Sequence, residues 1–278
     1  MENLPLIDSH QHFWVFDPIR DTWMDEATMS KIRRDFLPED LLPIIKDNGI
    51  SNTIAVQADQ SEAETLFLLK MAEQHDFILG VVGWVDLLRQ DLHAQLKALD
   101  HPKLLGYRHV LQGEERGFIT QQNFIEGVQQ VGKHGLTYDI LVYAHQLDEV
   151  ITLVDHCGEQ PLIIDHLAKP EIKNGRIKTW EKQMRVLSSY PNIYCKISGM
   201  ITEADWQTWT YVDLLPYLDV VFDAFGQDRC VFGSDWPVCT LAGEYGQVFN
   251  IVSRYLADHD LDRNAVFSRN ARNFYRLV

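Results

Sequence analysis

The sequence predicts a single domain over residues 1–278 with the α/β architecture of a (β/α)8 TIM barrel. Three observations predict it: a length close to the ~250 residues such a barrel takes, eight short apolar runs that each lead into a helix-like segment, and polar residues gathered just beyond those runs. Strands covered on both faces read as continuous apolar stretches, and these do. No glycine-rich phosphate-binding turn follows the first run, which separates the pattern from a doubly wound dinucleotide fold.

The first strand is the run Leu4-Pro5-Leu6-Ile7, which stops at Asp8-Ser9-His10-Gln11-His12. Residues 15–37 form a long irregular stretch rich in aromatics and arginines, expected as a wall or lid over a site or as a cap on the barrel mouth. Pro38 then opens a helix to Asn48, closed by Gly49. Residues 52–57 are the second strand. Ser61 begins its helix with Glu64 completing a capping box and Leu66, Leu69 and Met71 facing inward. The pattern repeats with strands at 77–85, 104–110, 137–143, 161–166, 193–197 and 229–235. Helices are expected at 92–99, 121–134, 147–157 and 178–189, then in one long region through Phe225, at 244–256, and from Asp262 to the end.

Composition narrows the class. Hydrophobic residues at 46% and charged residues at 23% describe a globular protein, and no apolar run approaches the ~20 residues that span a bilayer. With no basic, signal-like N-terminus, a cytoplasmic location is expected. A net charge of -15 opposes nucleic-acid or acidic-membrane binding, so neither is expected as a partner, while a homo-oligomer stays open. Cys157, Cys195, Cys230 and Cys239 form no C-x-x-C pair and read as reduced packing residues.

A barrel of this kind builds its site at the C-terminal ends of its strands. Those ends carry His10 and His12, Gln57 and Asp59, Trp84 and Asp86, Arg108 and His109, Tyr143 and His145, His166 and Lys169, Lys196 and Ser198, and Ser234, Asp235 and Trp236. On a strand, residues i and i+2 share a side, so His10 and His12 point together as shared ligands would. Histidines from the first and sixth strands with an aspartate from the eighth make the constellation specific, because distant segments must converge on one axis. An Asp235 between an apolar run and Trp236-Pro237 is costly unless it is paired or functional.

These residues resemble the amidohydrolase superfamily and its distorted barrel. The likeness lies in His-x-His at the first strand, His166 in Ile163-Ile164-Asp165-His166-Leu167-Ala168-Lys169-Pro170, and Asp235 in Phe232-Gly233-Ser234-Asp235-Trp236-Pro237. Asp8-Ser9-His10-Gln11-His12-Phe13-Trp14, Gly106-Tyr107-Arg108-His109 and Asn270-Ala271-Arg272-Asn273-Phe274-Tyr275 resemble its sugar-lactone hydrolase branch, which includes fuconolactonase-, rhamnonolactonase- and pyrone-dicarboxylate lactonase-like enzymes. The resemblance implies hydrolysis of a small-molecule sugar lactone. Asp235 would activate water, His10, His12 and His166 would polarise the carbonyl, and Arg108 would hold substrate.

Tyr143, His145, Lys196 and His109 are the further expected substrate contacts, with Trp14, Trp84 and Trp236 either stacking on a sugar face or packing the barrel mouth. Two-metal relatives carry a bridging lysine or glutamate on the fourth strand, where this chain has Arg108, a group that cannot ligate a cation. No cofactor is therefore strictly required. One divalent ion such as zinc remains an option, on His10, His12 and Asp235, with His145 or His166 as a further ligand. A one-metal decarboxylase or amide hydrolase on the same barrel, and a non-catalytic sugar-binding barrel, are the competing readings.

Overall fold

Eight parallel strands, each hydrogen-bonded to the next in chain order, form one sheet in the computed structural model, which describes residues 4–277. Residues 1–3 and 278 of the expected domain lie outside the described residues. The strands are β1 Ile7–Gln11, β2 Asn52–Val56, β3 Ile78–Gly83, β4 Leu104–Val110, β5 Thr137–Leu141, β6 Leu162–Ile164, β7 Ile193–Ile197 and β8 Cys230–Phe232.

The sheet closes without a regular β8–β1 ladder, which is the distortion in the barrel. His12 N donates to Trp236 O at 2.7 Å, and Asp235 N donates to His10 O at 2.8 Å. Below them the buried Asp8 carboxylate accepts from Ser234 N at 2.8 Å, Ser234 Oγ at 2.6 Å and Tyr245 Oη at 3.1 Å. The seam thus runs through the two segments that carry His10, His12 and Asp235, so closing the barrel also sets the site.

The helices are α1 Pro38–Asp47, α2 Glu62–Gln74, α3 Leu92–Ala98, α4 Gln122–Lys133, α5 Leu147–Cys157, α6 Lys178–Ser188, α7 Met200–Glu203, α8 Tyr211–Phe225, α9 Tyr245–Asp258 and α10 Asn270–Tyr275. Two differ from the sequence reading. In α2 the buried stripe is Thr65, Leu68, Leu69 and Ala72, at helical spacing, and Leu66 is 56% exposed. Glu64 N does bond to Ser61 Oγ, but the Glu64 carboxylate turns to Ala58 N and Asp59 N instead of closing a capping box. The long helical region after β7 is two helices, because Ala204 is extended and Thr210 starts α8 afresh, with Asp213 accepting from Thr210 N at 2.7 Å.

The core has two parts. A large layer lies between sheet and helices. A smaller one lies inside the barrel, where Ile7, Ile54, Val56, Val82, Ile163 and Val231 pack against Phe274 and Tyr275 of α10. The C-terminal helix plugs the barrel from the end opposite the site. All four cysteines are free and buried, and among the described residues no helix is long and apolar enough to cross a membrane.

Candidate active site

At the C-terminal ends of the strands a cavity of about 610 Å3 opens, with His12, Arg108, His166 and Asp235 on its floor. Trp14, Trp23 and Met29, from and beside the long stretch after β1, wall one side, and Trp206, Val238 and Leu241 add further apolar wall. Trp14 is anchored by paired backbone bonds to Phe36 at 3.0 and 2.9 Å, so the long stretch leaves and returns beside the cavity, where Trp14, Trp23 and Met29 make it a wall.

Three histidines surround one carboxylate: His12 and His166 line the floor with Asp235, and the fully buried His10 lies just behind them. His12 Nε2 stands 3.2 Å from His10 Nε2 and 3.3 Å from Asp235 Oδ1. The His10 and His166 Nε2 atoms each lie 3.9 Å from that same oxygen. His12 Nδ1 lies 2.7 Å from Val56 O, which can only accept, so this nitrogen carries the proton and Nε2 of the neutral ring offers a lone pair. His166 Nδ1 is held by Ser198 Oγ at 2.8 Å. Burial lowers the proton affinity of His10 and His166 well below the ordinary histidine value. Burial pushes Asp235 up, but His166 and the Lys169 ammonium outweigh it and hold this carboxyl below the usual range.

Under the floor lies a buried ionic layer. Lys196 Nζ contacts Asp139 at 2.5 Å, Asp165 at 3.0 Å and His10 Nδ1 at 3.1 Å. Arg108 donates Nη1–H to Asp165 at 3.1 Å and to His10 Nε2 at 3.2 Å. It donates Nε–H and Nη2–H to Gln57 Oε1 at 3.2 and 2.8 Å, and Nη2–H to the Gln57 carbonyl. Those five contacts match all five guanidinium N–H groups. Burial pushes Asp165 up, but Lys196, His10 and Arg108 prevail and hold it far below the carboxylate range. Tyr275 reaches up from α10 to donate to Asp139 at 2.8 Å.

The structure therefore brings His10, His12, His166, Asp235 and Arg108 together and places Tyr143 and Trp14 on the cavity wall. It does not bring the others to the cavity. Lys196 is fully buried below His10, because its position on β7 points into the barrel. His109 alternates with Arg108 along β4 and so faces outward, bonded to Glu114 at 2.7 Å and receiving Trp84 Nε1–H at 3.3 Å. Trp236 is buried edge-on against Phe13 and Phe36, and His145 is exposed, stacked on the outer side of Tyr143. Asp139 and Asp165 went unassigned from sequence, although a lone charge inside an apolar strand needs a buried partner and Lys196 on β7 is such a partner.

His10, His166 and Asp235 offer ligand atoms all within 4.8 Å of one another, a group that could hold a metal ion. Imidazole and carboxylate donors suit zinc, and the His12 lone pair adds a fourth. His10 Nε2 is shared with Arg108, and His145 takes no part.

The amidohydrolase family pattern matches residues 7–277. The chain belongs to the amidohydrolase family. This amidohydrolase is 36% identical to an L-fucono-1,5-lactonase of Burkholderia multivorans, over 98% of this chain and 96% of that protein. It is 24% identical to an L-rhamnono-gamma-lactonase of Scheffersomyces stipitis over 62% of this chain and 59% of that protein. A crystal structure of an amidohydrolase from Burkholderia multivorans with bound zinc, 36% identical, superposes with a TM-score of 0.95 over 99% of this chain and 100% of that one.

Proposed function

We propose that this amidohydrolase opens the ring of a sugar-derived lactone, an aldonolactone of the L-fucono- or L-rhamnono- type, by attack of water on the ring carbonyl. The observation that carries the reading is Asp235, a buried carboxylate ringed by three histidines on a cavity floor and held in its ionised form. The 36% identity to L-fucono-1,5-lactonases supports the substrate class.

In this reading Asp235 Oδ1 takes a proton from water as the water oxygen bonds to the carbonyl carbon. It returns that proton to the ring oxygen as the carbon–ring-oxygen bond breaks, so one carboxylate serves both halves of the reaction. His166, oriented by Ser198, stabilises charge on the carbonyl oxygen, and each such group typically contributes ~100-fold or more in rate. Arg108 acts on His10 and Asp165 rather than on substrate, because its donors are spent. At most one divalent ion belongs to this site; His10, His12 and Asp235 would hold it, which leaves His166 Nε2 as the hydrogen-bond donor. When bound, zinc supplies Lewis-acid polarisation of an oxygen at that point.

The apolar and aromatic wall formed by Trp14, Trp23 and Trp206 suits the C–H face of a sugar ring, with Asp59, Gln60 and Gln112 on the rim as hydroxyl partners. The test is a pH-indicator assay over aldono-1,4- and 1,5-lactones, pyrone lactones and carboxylic acids, with and without chelator. Rapid turnover of an aldonolactone is expected; loss of carbon dioxide from the acids with inert lactones would overturn the reading.

A further inference from the structure

After β6 four consecutive residues, His166, Leu167, Ala168 and Lys169, take φ of 52°, 54°, 57° and 46°. Left-handed backbone costs a residue with a side chain ~1–2 kcal/mol, so such a run persists only where its surroundings hold it. Here Lys169 N donates to His166 O at 2.8 Å, and Trp180 Nε1 donates to Leu167 O at 2.7 Å. At about three residues per turn, positions i and i+3 fall on one side. His166 and Lys169 accordingly both reach the cavity while Leu167 and Ala168 are fully buried. The turn that delivers His166 to the floor delivers the cationic side chain of Lys169 with it.

The partner arrives from the next strand. Gly199, with φ of 64°, lies so close to His166 that a Cβ there would stand 2.7 Å from the imidazole Nδ1, and α7 starts immediately after it. That close approach puts Glu203 Oε1 3.1 Å from Lys169 Nζ, with the two side chains 20% and 18% exposed, both on the cavity wall. An ammonium has three N–H groups and a carboxylate two oxygens, so the ion pair leaves each partner with capacity to spare. Arg108, the other cation at the cavity, has spent its donors on Gln57, His10 and Asp165.

We propose that Lys169 and Glu203 form a clamp for two neighbouring hydroxyls of the substrate ring, one accepting from the ammonium and the other donating to the carboxylate, and that this clamp sets selectivity for polyhydroxylated lactones. The inference rests on the lactone reading above. It makes Lys169 and Glu203 specificity-determining residues, since a site built to bond a hydroxyl discriminates strongly against the analogue that lacks it.

The experiment is calorimetric titration of the full chain with an aldono-1,5-lactam, a ring amide with the same hydroxyls, against δ-valerolactam, the same ring without them. Lys169→Met and Glu203→Gln are each expected to weaken the aldonolactam by about 10- to 100-fold and δ-valerolactam by less than about 3-fold. Lys169→Arg, which keeps the cation and its partner, is expected to recover part of the loss. In parallel, the ratio of kcat/KM for an aldono-1,5-lactone to that for δ-valerolactone is expected to fall by the same factor in both variants. Equal aldonolactam affinity in wild type and Lys169→Met, an equal loss for both lactams, or no aldonolactam binding by the wild type overturns the clamp. Selective lactam binding lost in both variants, in a wild type that opens no lactone, upholds the clamp and overturns the hydrolytic reading instead.

Discussion

Nε2 of His12 lies 3.3 Å from Oδ1 of Asp235, and in the neutral ring neither atom has a proton for the other, because Val56 O fixes the His12 proton on Nδ1. Two facing acceptors are stabilised by a cation or a proton between them. We therefore expect titration calorimetry to find one zinc per chain, and His12→Ala to weaken it by about 10-fold or more. Because Arg108 shares the His10 lone pair, chelator is expected to remove the ion without unfolding the chain. Two ions per chain, or loss of the folded circular-dichroism signal on chelation, would contradict this.

Asp235→Asn keeps the shape of the side chain and the backbone bond from Asp235 N to His10 O, but removes the proton acceptor. Its kcat on any lactone the wild type opens is expected to fall by about 100- to 10,000-fold with the thermal midpoint little changed. A drop under tenfold would assign the proton transfers to another group.

The sequence carried the fold because the evidence for it is repetitive: eight apolar runs, each leading into a helix-like segment, leave little choice, and β4, α5 and β7 fall at the expected residues. The floor was legible for the same reason that the barrel was, since His10, His12, His166 and Asp235 stand at strand ends. What failed was the direction of individual side chains. Arg108 and His109 are adjacent, and the pleat sends one into the barrel and the other out. Lys196 looked like a rim residue because the end of β7 is only one residue further on, yet that residue of difference puts it beneath His10. The left-handed turn at 166–169 has no glycine to announce it, so nothing in its letters predicted that Lys169 would share a face with His166.

Lys196 is fully buried between Asp139 and Asp165. Removing one partner of a buried ionic group leaves an uncompensated charge, typically a cost of ~3–5 kcal/mol. Lys196→Met is expected to lose stability on that scale in urea unfolding, and Asp139→Asn in the same chain is expected to restore part of it. Should Lys196→Met unfold within 1 kcal/mol of the wild type, about the worth of an exposed pair, the charges of Asp139 and Asp165 would not depend on Lys196 for their burial.

Glu64 connects stability to pH through the loop that lines the cavity. Its carboxylate accepts from Ala58 N at 2.5 Å and Asp59 N at 2.8 Å, and Asp59 is on the cavity wall. Burial pushes Glu64 up from 4.5 to about 7, against the pull of those two amides. With the native value above the unfolded one, the folded chain binds the proton more tightly, so the contribution is complete below pH 4.5 and is lost as pH rises to about 7. The full span is worth at most about 3 kcal/mol. Glu64→Gln has no proton to lose, so its stability relative to the wild type is expected to rise between pH 4.5 and 7 and to level off above. Urea unfolding of both proteins across that range measures the difference; parallel stability curves would show that the two amide bonds keep Glu64 ionised in the folded chain.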